Sequence, residues 1–181
     1  MDMPVICLVR HGQTEWNANH RIQGCRADTP LTRIGREQAR YVGEILKQLL
    51  QSSKTPRLVS SPLGRAMATS AIILETLGPP PTAYEMDDRL REIDYGAWTG
   101  LTQAEVRHKF RTQWEVRASD PWNVPPSNGE SYAEVGVRAI KWLRSQEHDV
   151  IAVAHGVFGR VLRRQGSKLA RSAGTRYLRP K

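Results

Sequence analysis

Two histidines and two arginines lie at positions where a protein could bind phosphate and react with it. Arg10 and His11 directly follow the apolar run VICLV, and His155 follows a second apolar run, VIAVA. Arg65 lies in the segment SSPLGRA, near the predicted start of a helix whose free N–H groups favour an anion. Arginine binds phosphate oxygens in pairs, and a neutral imidazole can accept a phosphoryl group covalently. These residue types suit the hydrolysis or transfer of a phosphate monoester.

Such a reaction also needs a proton for the leaving oxygen. Glu92 and Asp94, in the segment REIDYG, are the carboxyl groups nearest a predicted strand end. A neighbouring dianionic phosphate would favour the protonated form of a carboxyl group, so Glu92 is the candidate acid. The alternative for Glu92 is a surface ion pair with Arg89 or Arg91.

The apolar pattern changes period repeatedly along the chain, which predicts alternating strands and helices. Strands are expected over 4–9, 57–61, 82–86 and 149–154, and helices over 32–50, 62–77, 102–118 (with a break) and 131–146. Ser61 and Pro62 are read as the cap and first position of the second helix. This order predicts the α/β class: a three-layer α/β/α sandwich with a mostly parallel central sheet. Ligands bind beyond the carboxyl ends of such strands, so Arg10, His11, Arg65 and His155 are expected to converge there.

Length and charge constrain the class of protein. The 181 residues suffice for one domain with a proper core. The formal charge of +9 is concentrated at the end of the chain, because residues 156–181 hold eight Lys and Arg and no acidic residue. No apolar run reaches membrane-spanning length and no signal-type segment precedes the first strand, so a cytoplasmic protein without a membrane partner is expected.

Several motifs, in order, resemble those of the histidine phosphatase superfamily, also called the phosphoglycerate mutase-like family. They are LVRHGQTEWN, RIQG followed by DTPLTRIGREQA, SSPLGRAMATS, REIDYGAWTG, NGES and VAHG, and they cover roughly residues 5 to 160. The resemblance implies that His11 is the phosphorylated nucleophile and that Glu92 is the general acid that later activates water. It implies further phosphate contacts, made by Arg10, Arg65, His155, Asn17, Gln23, Gly24 and Gly156. It also implies a metal-independent reaction without a cofactor, and arginines beside the histidines would themselves repel a metal cation.

Within that family the chain is more similar to the phosphatases than to the cofactor-dependent mutases. Glu92 and His155 are only 63 positions apart, whereas mutases carry a longer insertion there, and this chain has REIDYG where mutases typically have ERHYG. A phosphomonoesterase of the histidine acid phosphatase type acting on a small phosphorylated metabolite is therefore expected. Mutase-type phosphoryl transfer is the close alternative.

The chain departs from the family at its end, where GSKLARSAGTRYLRPK lacks an apolar run for the family's last strand. Residues 1–165 are therefore predicted to form the phosphatase domain and residues 166–181 a basic tail. This tail could be solvated, could bind a polyanion, or could result from a frameshift or truncation. The alternative from another class of function is a non-catalytic protein that binds phosphate groups in this site and a polyanion through the tail. A nucleic-acid partner is not expected, and a homodimer is compatible with the sequence.

Overall fold

A four-stranded parallel sheet forms the centre of the part of the molecule that the structure describes. The computed structural model describes residues 4–50, 56–78 and 84–172. Its strands are β1 (Ile6–Arg10), β2 (Arg57–Ser60), β3 (Glu85–Met86) and β4 (Val150–Ala154), in the order β1-β4-β2-β3. Its helices are α1 (Glu15–Ala18), α2 (Arg33–Leu49), α3 (Gly64–Leu77), α4 (Gln103–Lys109), α5 (Arg111–Ser119), α6 (Tyr132–Arg144) and α7 (Gly156–Ser172). The predicted break in the helix over 102–118 falls at Phe110, between α4 and α5.

The two faces of the sheet carry separate cores, because side chains alternate between the faces of a strand. In β4, Ile151 and Val153 pack with α2 and α3, while Ala152 and Ala154 pack with α6 and α7. Trp142 of α6 is fully buried in the second of these cores. The predicted three-layer α/β/α sandwich is confirmed.

The register of the sheet brings the candidate catalytic residues together at one edge. Arg10, the last residue of β1, is paired with Ala154, the last residue of β4. Ser60, which ends β2, is paired with Val153 on the other side of β4. The residues that follow these three strands, His11, His155 and Ser61, are therefore neighbours although they are far apart in sequence.

The helix α7 differs from the expectation for the end of the chain. It continues through Ser172, so residues 166–172 are helical and not an unstructured tail. The helix is amphipathic: Val157, Phe158, Val161 and Leu162 are buried, at a spacing typical of one helical face. Residues 173–181 of the predicted tail lie outside the described residues, and no strand follows β4 in the described part of the chain. Within these same ranges no helix is long and apolar enough to cross a membrane.

Candidate active site

The sheet itself holds His11 in place. The backbone N–H of His11 donates to the carbonyl of Ala154 at 3.0 Å, which extends the pairing of β1 and β4 by one residue. The next N–H, that of Gly12, donates to the hydroxyl of Thr69 on α3 at 3.1 Å. The backbone at His11 is therefore fixed by hydrogen bonds to the sheet and to α3.

The hydrogen bonds of the His11 ring determine which nitrogen can act. Nδ1 lies 2.7 Å from the carbonyl oxygen of Gly12, which can only accept, so Nδ1 carries the ring proton. The lone pair of Nε2 then faces Arg65, whose Nε lies 3.3 Å away. Burial, and then the positive charge of Arg65, lower the pKa of His11 to about 3; Arg10 acts in the same direction, and the bond to Gly12 opposes them. His11 is thus neutral at pH 7, as a nucleophile must be.

Arg65 is a buried cation whose guanidinium is held in place by hydrogen bonds. It is the second residue of α3, as the predicted first-turn position requires, and only 2% of it is exposed. Its guanidinium donates to the carbonyls of Gly24 at 2.6 Å and Ala27 at 3.0 Å, and lies 3.4 Å from the carboxylate of Asp28. The same Asp28 oxygen accepts from the backbone N–H of Arg65 at 3.1 Å. Sequence reasoning did not assign Asp28 a role, although it stands in the quoted segment DTPLT.

His155 lies directly behind His11. The centroids of the two rings are 5.1 Å apart, and Nε2 of His155 is 2.8 Å from the hydroxyl oxygen of Ser61. Burial, and then the charge of Arg65, hold the pKa of His155 well below its usual value, so this ring is neutral as well. Its Nδ1 is buried and has no hydrogen-bond partner among the described residues.

The predicted helix-capping role of Ser61 is wrong. The helix α3 begins at Gly64 with Leu63 as its N-cap residue, and the Ser61 hydroxyl is directed to His155 instead. Sequence spacing could not show this, because 94 residues separate the two side chains.

The carboxylate of Glu92 sits at the N-terminus of α7. One oxygen accepts from the backbone N–H groups of Ile93 at 3.1 Å and Phe158 at 3.0 Å, and the other accepts from Val157 at 3.1 Å. Unpaired N–H groups and the helix dipole at this end of α7 stabilise a negative group. Glu92 therefore holds the start of α7 beside the histidines.

The alternative surface ion pair for Glu92 is not present. Arg89 pairs with Asp87 at 2.6 Å, and Arg91 pairs with Asp88 at 3.4 Å. Both pairs lie within the same loop, and neither involves the buried Glu92.

The backbone around Glu92 is held by Arg138 of α6. Its guanidinium donates to the carbonyl oxygens of Arg91 at 2.6 Å and Glu92 at 3.2 Å, and pairs with Glu130 at 3.2 Å. A rigid helix thus sets the position of the carboxyl group.

One open cavity of about 640 Å³ connects these groups at the carboxyl edge of the sheet. All the predicted site residues except His155 line it: Arg10, His11, Asn17, Gln23, Gly24, Arg65, Glu92 and Gly156. Glu92 is the only acidic residue among the described residues of its wall. A cavity with several cations and a single carboxyl group favours an anionic ligand.

The outer residues of the cavity differ in how free they are to bind a ligand. Arg10 is exposed and has no ion-pair partner among the residues the structure describes, and a side chain at Gly156 would lie 3.5 Å from its guanidinium. Asn17 uses its Oδ1 to accept from Thr14 at 3.2 Å, in the capping box of α1.

Gln23 is held more tightly. Its amide group is bonded at 3.0 Å at each end, to Thr14 and to Thr29. Arg10 is therefore an available cation for a bound phosphate, while Gln23 mainly fixes the turn that carries Gly24.

Similarity to known proteins shows the family of this chain. The model of the Histidine phosphatase superfamily (branch 1) matches residues 6–178. A 2,3-bisphosphoglycerate-dependent phosphoglycerate mutase of Brucella ovis is 34% identical over 158 residues, which cover 83% of this chain and 75% of the relative. The chain therefore belongs to the histidine phosphatase superfamily.

Solved structures add phosphatases to the similar proteins. The mycobacterial glucosyl-3-phosphoglycerate phosphatase, in complex with VO3, is 32% identical with a TM-score of 0.74, covering 90% of this chain and 81% of that chain. The alpha-ribazole phosphatase from Shigella flexneri has a TM-score of 0.73 and covers 94% of this chain and 80% of that chain. Its identity is 24%, so this likeness concerns the fold alone.

Proposed function

We propose that this protein is a phosphomonoesterase that hydrolyses a small phosphorylated metabolite through a phosphohistidine on His11. The observation that carries the proposal is the state of the His11 ring. It is neutral, its Nδ1 proton is engaged by Gly12, and its Nε2 lone pair is directed toward Arg65 in an anion-favouring cavity. The 32% identical phosphatase of known structure supports hydrolysis as the activity.

The first chemical step forms the bond between phosphorus and Nε2 of His11 as the bond between phosphorus and the ester oxygen breaks. Arg10 and Arg65 balance the charge of the phosphoryl oxygens, and the unpartnered Nδ1 of His155 is suited to donate to one of them. Glu92, the one carboxyl group of the described wall, gives a proton to the leaving oxygen. To act as an acid, Glu92 must carry a proton on one of its two oxygens. The oxygen that accepts only from the N–H of Val157 suits this best, because the other oxygen already accepts two hydrogen bonds.

In the second step a water molecule attacks phosphorus and the bond to Nε2 breaks. Glu92, ionised after the first step, takes the proton of this water, which returns both groups to their starting states. Inorganic phosphate leaves, and neutral His11 is restored.

Phosphoryl transfer between positions of a phosphoglycerate is the second candidate, because the 34% identical relative is a phosphoglycerate mutase. The short segment between Glu92 and His155 favours hydrolysis. The two differ only in whether water or a second hydroxyl group receives the phosphoryl group from His11.

The test is a trapping experiment with a ³²P-labelled monoester, quenched in alkali and then exposed to acid. We expect phosphate on the protein that is stable in alkali and lost in acid, and its absence in His11→Ala. Incubation with 3-phosphoglycerate and catalytic 2,3-bisphosphoglycerate then separates the candidates. Release of inorganic phosphate supports hydrolysis, and conversion to 2-phosphoglycerate supports transfer. Binding of phosphate without labelling or turnover would support the non-catalytic binder instead.

A further inference from the structure

A second, smaller cavity of about 260 Å³ adjoins the catalytic one. The two share Ile22, Tyr95, Gln103 and Arg160 in their walls. The remaining wall of the second cavity comes from the segments after Glu92 and consists of Trp98, Trp114, Arg117, Ala118, Pro121 and Tyr132. A group attached to a phosphate beside His11 can therefore extend into the second cavity past Tyr95.

The second cavity is built around a buried arginine. Only 5% of Arg117 is exposed, and its Cζ lies 6.0 Å from the ring centroid of Tyr95, 5.8 Å from that of Trp98 and 5.2 Å from that of Tyr132. Its guanidinium also donates to the carbonyl of Val124. A cation among several aromatic faces attracts all of them, so Arg117 holds these rings as a fixed wall.

The two tryptophans of the wall present apolar surface to the cavity. Their ring centroids are 5.7 Å apart, with the planes inclined by 35°. The N–H group of Trp98, its only polar atom, already donates to Gln113 at 2.9 Å. Trp114 is covered on one side by the guanidinium of Arg107, 4.9 Å from the ring centroid. The hydrogen-bonding needs of Trp98 are thus met outside the cavity.

From this wall we infer that the second cavity is a leaving-group subsite for a flat aromatic ring carried by the substrate. The inference rests on the proposed phosphatase function and gives it a substrate class. Aromatic and aliphatic side chains form most of the wall, and none of its described residues is acidic. A cationic leaving group would meet Arg117 and Arg160 without a counter-charge.

The dimensions of the cavity agree with one or two rings. An apolar cavity of about 150 Å³ holds one benzene molecule in another protein. At about 260 Å³ this cavity accepts a phenyl group with a short linker, or a fused pair of rings. Rigid aromatic walls lose little entropy when they take up such a group, so the ring gains affinity from burial.

The experiment compares 2-phenylethyl phosphate with ethyl phosphate, because both release an alkyl alcohol and differ chiefly in the ring. We expect kcat/KM to be about tenfold or more higher for the phenylethyl ester. Ala118→Trp places a large side chain into the cavity from an exposed helical position. It should lower kcat/KM for 2-phenylethyl phosphate toward the value for ethyl phosphate, and kcat/KM for ethyl phosphate should stay unchanged. Val116→Trp is the matched control on the same helix, since Val116 is 51% exposed and lies outside the cavity wall. Val116→Trp should keep the preference for 2-phenylethyl phosphate over ethyl phosphate.

The outcomes separate this inference from the function on which it rests. Equal kcat/KM values in the unmodified protein, or a preference that Ala118→Trp leaves intact, overturn the subsite while ethyl phosphate is still hydrolysed. Failure to hydrolyse either ester, without acid-labile phosphate on His11, overturns the proposed function. If Ala118→Trp loses both substrates through misfolding, Trp114→Ala replaces it. That variant should reduce the preference several-fold, and an unchanged preference counts against the subsite.

Discussion

The hydroxyl oxygen of Ser61 lies 2.8 Å from Nε2 of His155 and joins the residue after β2 to the residue after β4. Ser61 also accepts from the N–H of Leu63 at 3.4 Å, so its own proton is available for Nε2. In the proposed reaction Ser61 donates to Nε2, which places the ring proton of His155 on Nδ1, the nitrogen that has no partner among the described residues. The serine would thereby select the tautomer that can donate to a phosphoryl oxygen.

Replacing Ser61 by alanine should therefore slow the reaction more than it weakens substrate binding. We expect kcat to fall about 10- to 100-fold with little change in KM, because a donor to the transition state loses its orientation. Steady-state kinetics with a phosphate monoester measure this effect. Ser60→Ala is the matched control, since Ser60 is equally buried but donates to a backbone carbonyl instead of a histidine. Equal losses in both variants would argue for a merely structural role of Ser61.

Glu92→Gln should distinguish substrates by their leaving groups. A poor leaving group such as ethoxide needs the proton, so we expect kcat/KM, which reports formation of the phosphohistidine and not the later attack of water, to fall about 100-fold or more for ethyl phosphate. For p-nitrophenyl phosphate, whose leaving group needs no proton, the loss of kcat/KM should be less than about tenfold. A similar loss for both substrates would contradict the role of Glu92 as the acid.

The same variant has a measurable cost in stability. Glutamine has one acceptor oxygen where the carboxylate of Glu92 satisfies three N–H groups, so at least one buried donor loses its partner. The free energy of unfolding should decrease by about 1–3 kcal/mol, as measured in urea.

The low pKa of His11 predicts a dependence of stability on pH. It is about 3 in the folded protein, and a histidine in the unfolded chain has a pKa of about 6.5. As the pH falls below about 6.5 the unfolded chain binds a proton that the folded protein does not, so stability is complete above this value and is lost toward pH 3. His11→Gln should remove this contribution, and its loss of stability between pH 7 and pH 4 should be smaller by about 2–3 kcal/mol.

Urea unfolding in phosphate-free buffer measures this difference, because bound phosphate would itself favour the protonated ring. His148→Gln, at an exposed position, should show the pH dependence of the unmodified protein. An unchanged pH dependence in His11→Gln would show that His11 is not the buried neutral group described above.

Gly12 should tolerate no side chain. A Cβ atom at this position would collide with the carbonyl oxygen of Gly35 at the start of α2. Gly12→Ala should lower the free energy of unfolding by about 3 kcal/mol or more and displace the adjacent His11. Gly159→Ala is the control, because its Cβ would meet only the end of the Leu8 side chain, at 3.1 Å. Equal stability of the two variants would contradict the close approach of Gly12 and Gly35.

The sequence predicted the order of strands and helices because apolar periodicity is a local property. It placed His11 after the first strand and His155 after the last, and the parallel sheet then brought them together. It did not predict the short helix α1 or the helix α7 after the last strand, and the basic composition from residue 166 onward suggested only a tail. The buried face of α7 starts earlier, at Val157, and the helix continues through the basic residues once it has formed.

The sequence by itself determined which residue types follow which strands, and with them the histidine, arginine and carboxyl chemistry of the site. Only the tertiary structure decided that Ser61 bonds to His155, that Asp28 holds Arg65, and that Arg117 is buried among aromatic rings. The reason is physical: periodicity reports which face of an element is apolar, whereas a hydrogen bond requires two groups to lie within about 3 Å of each other. That distance depends on how whole layers pack, which no spacing within one segment records.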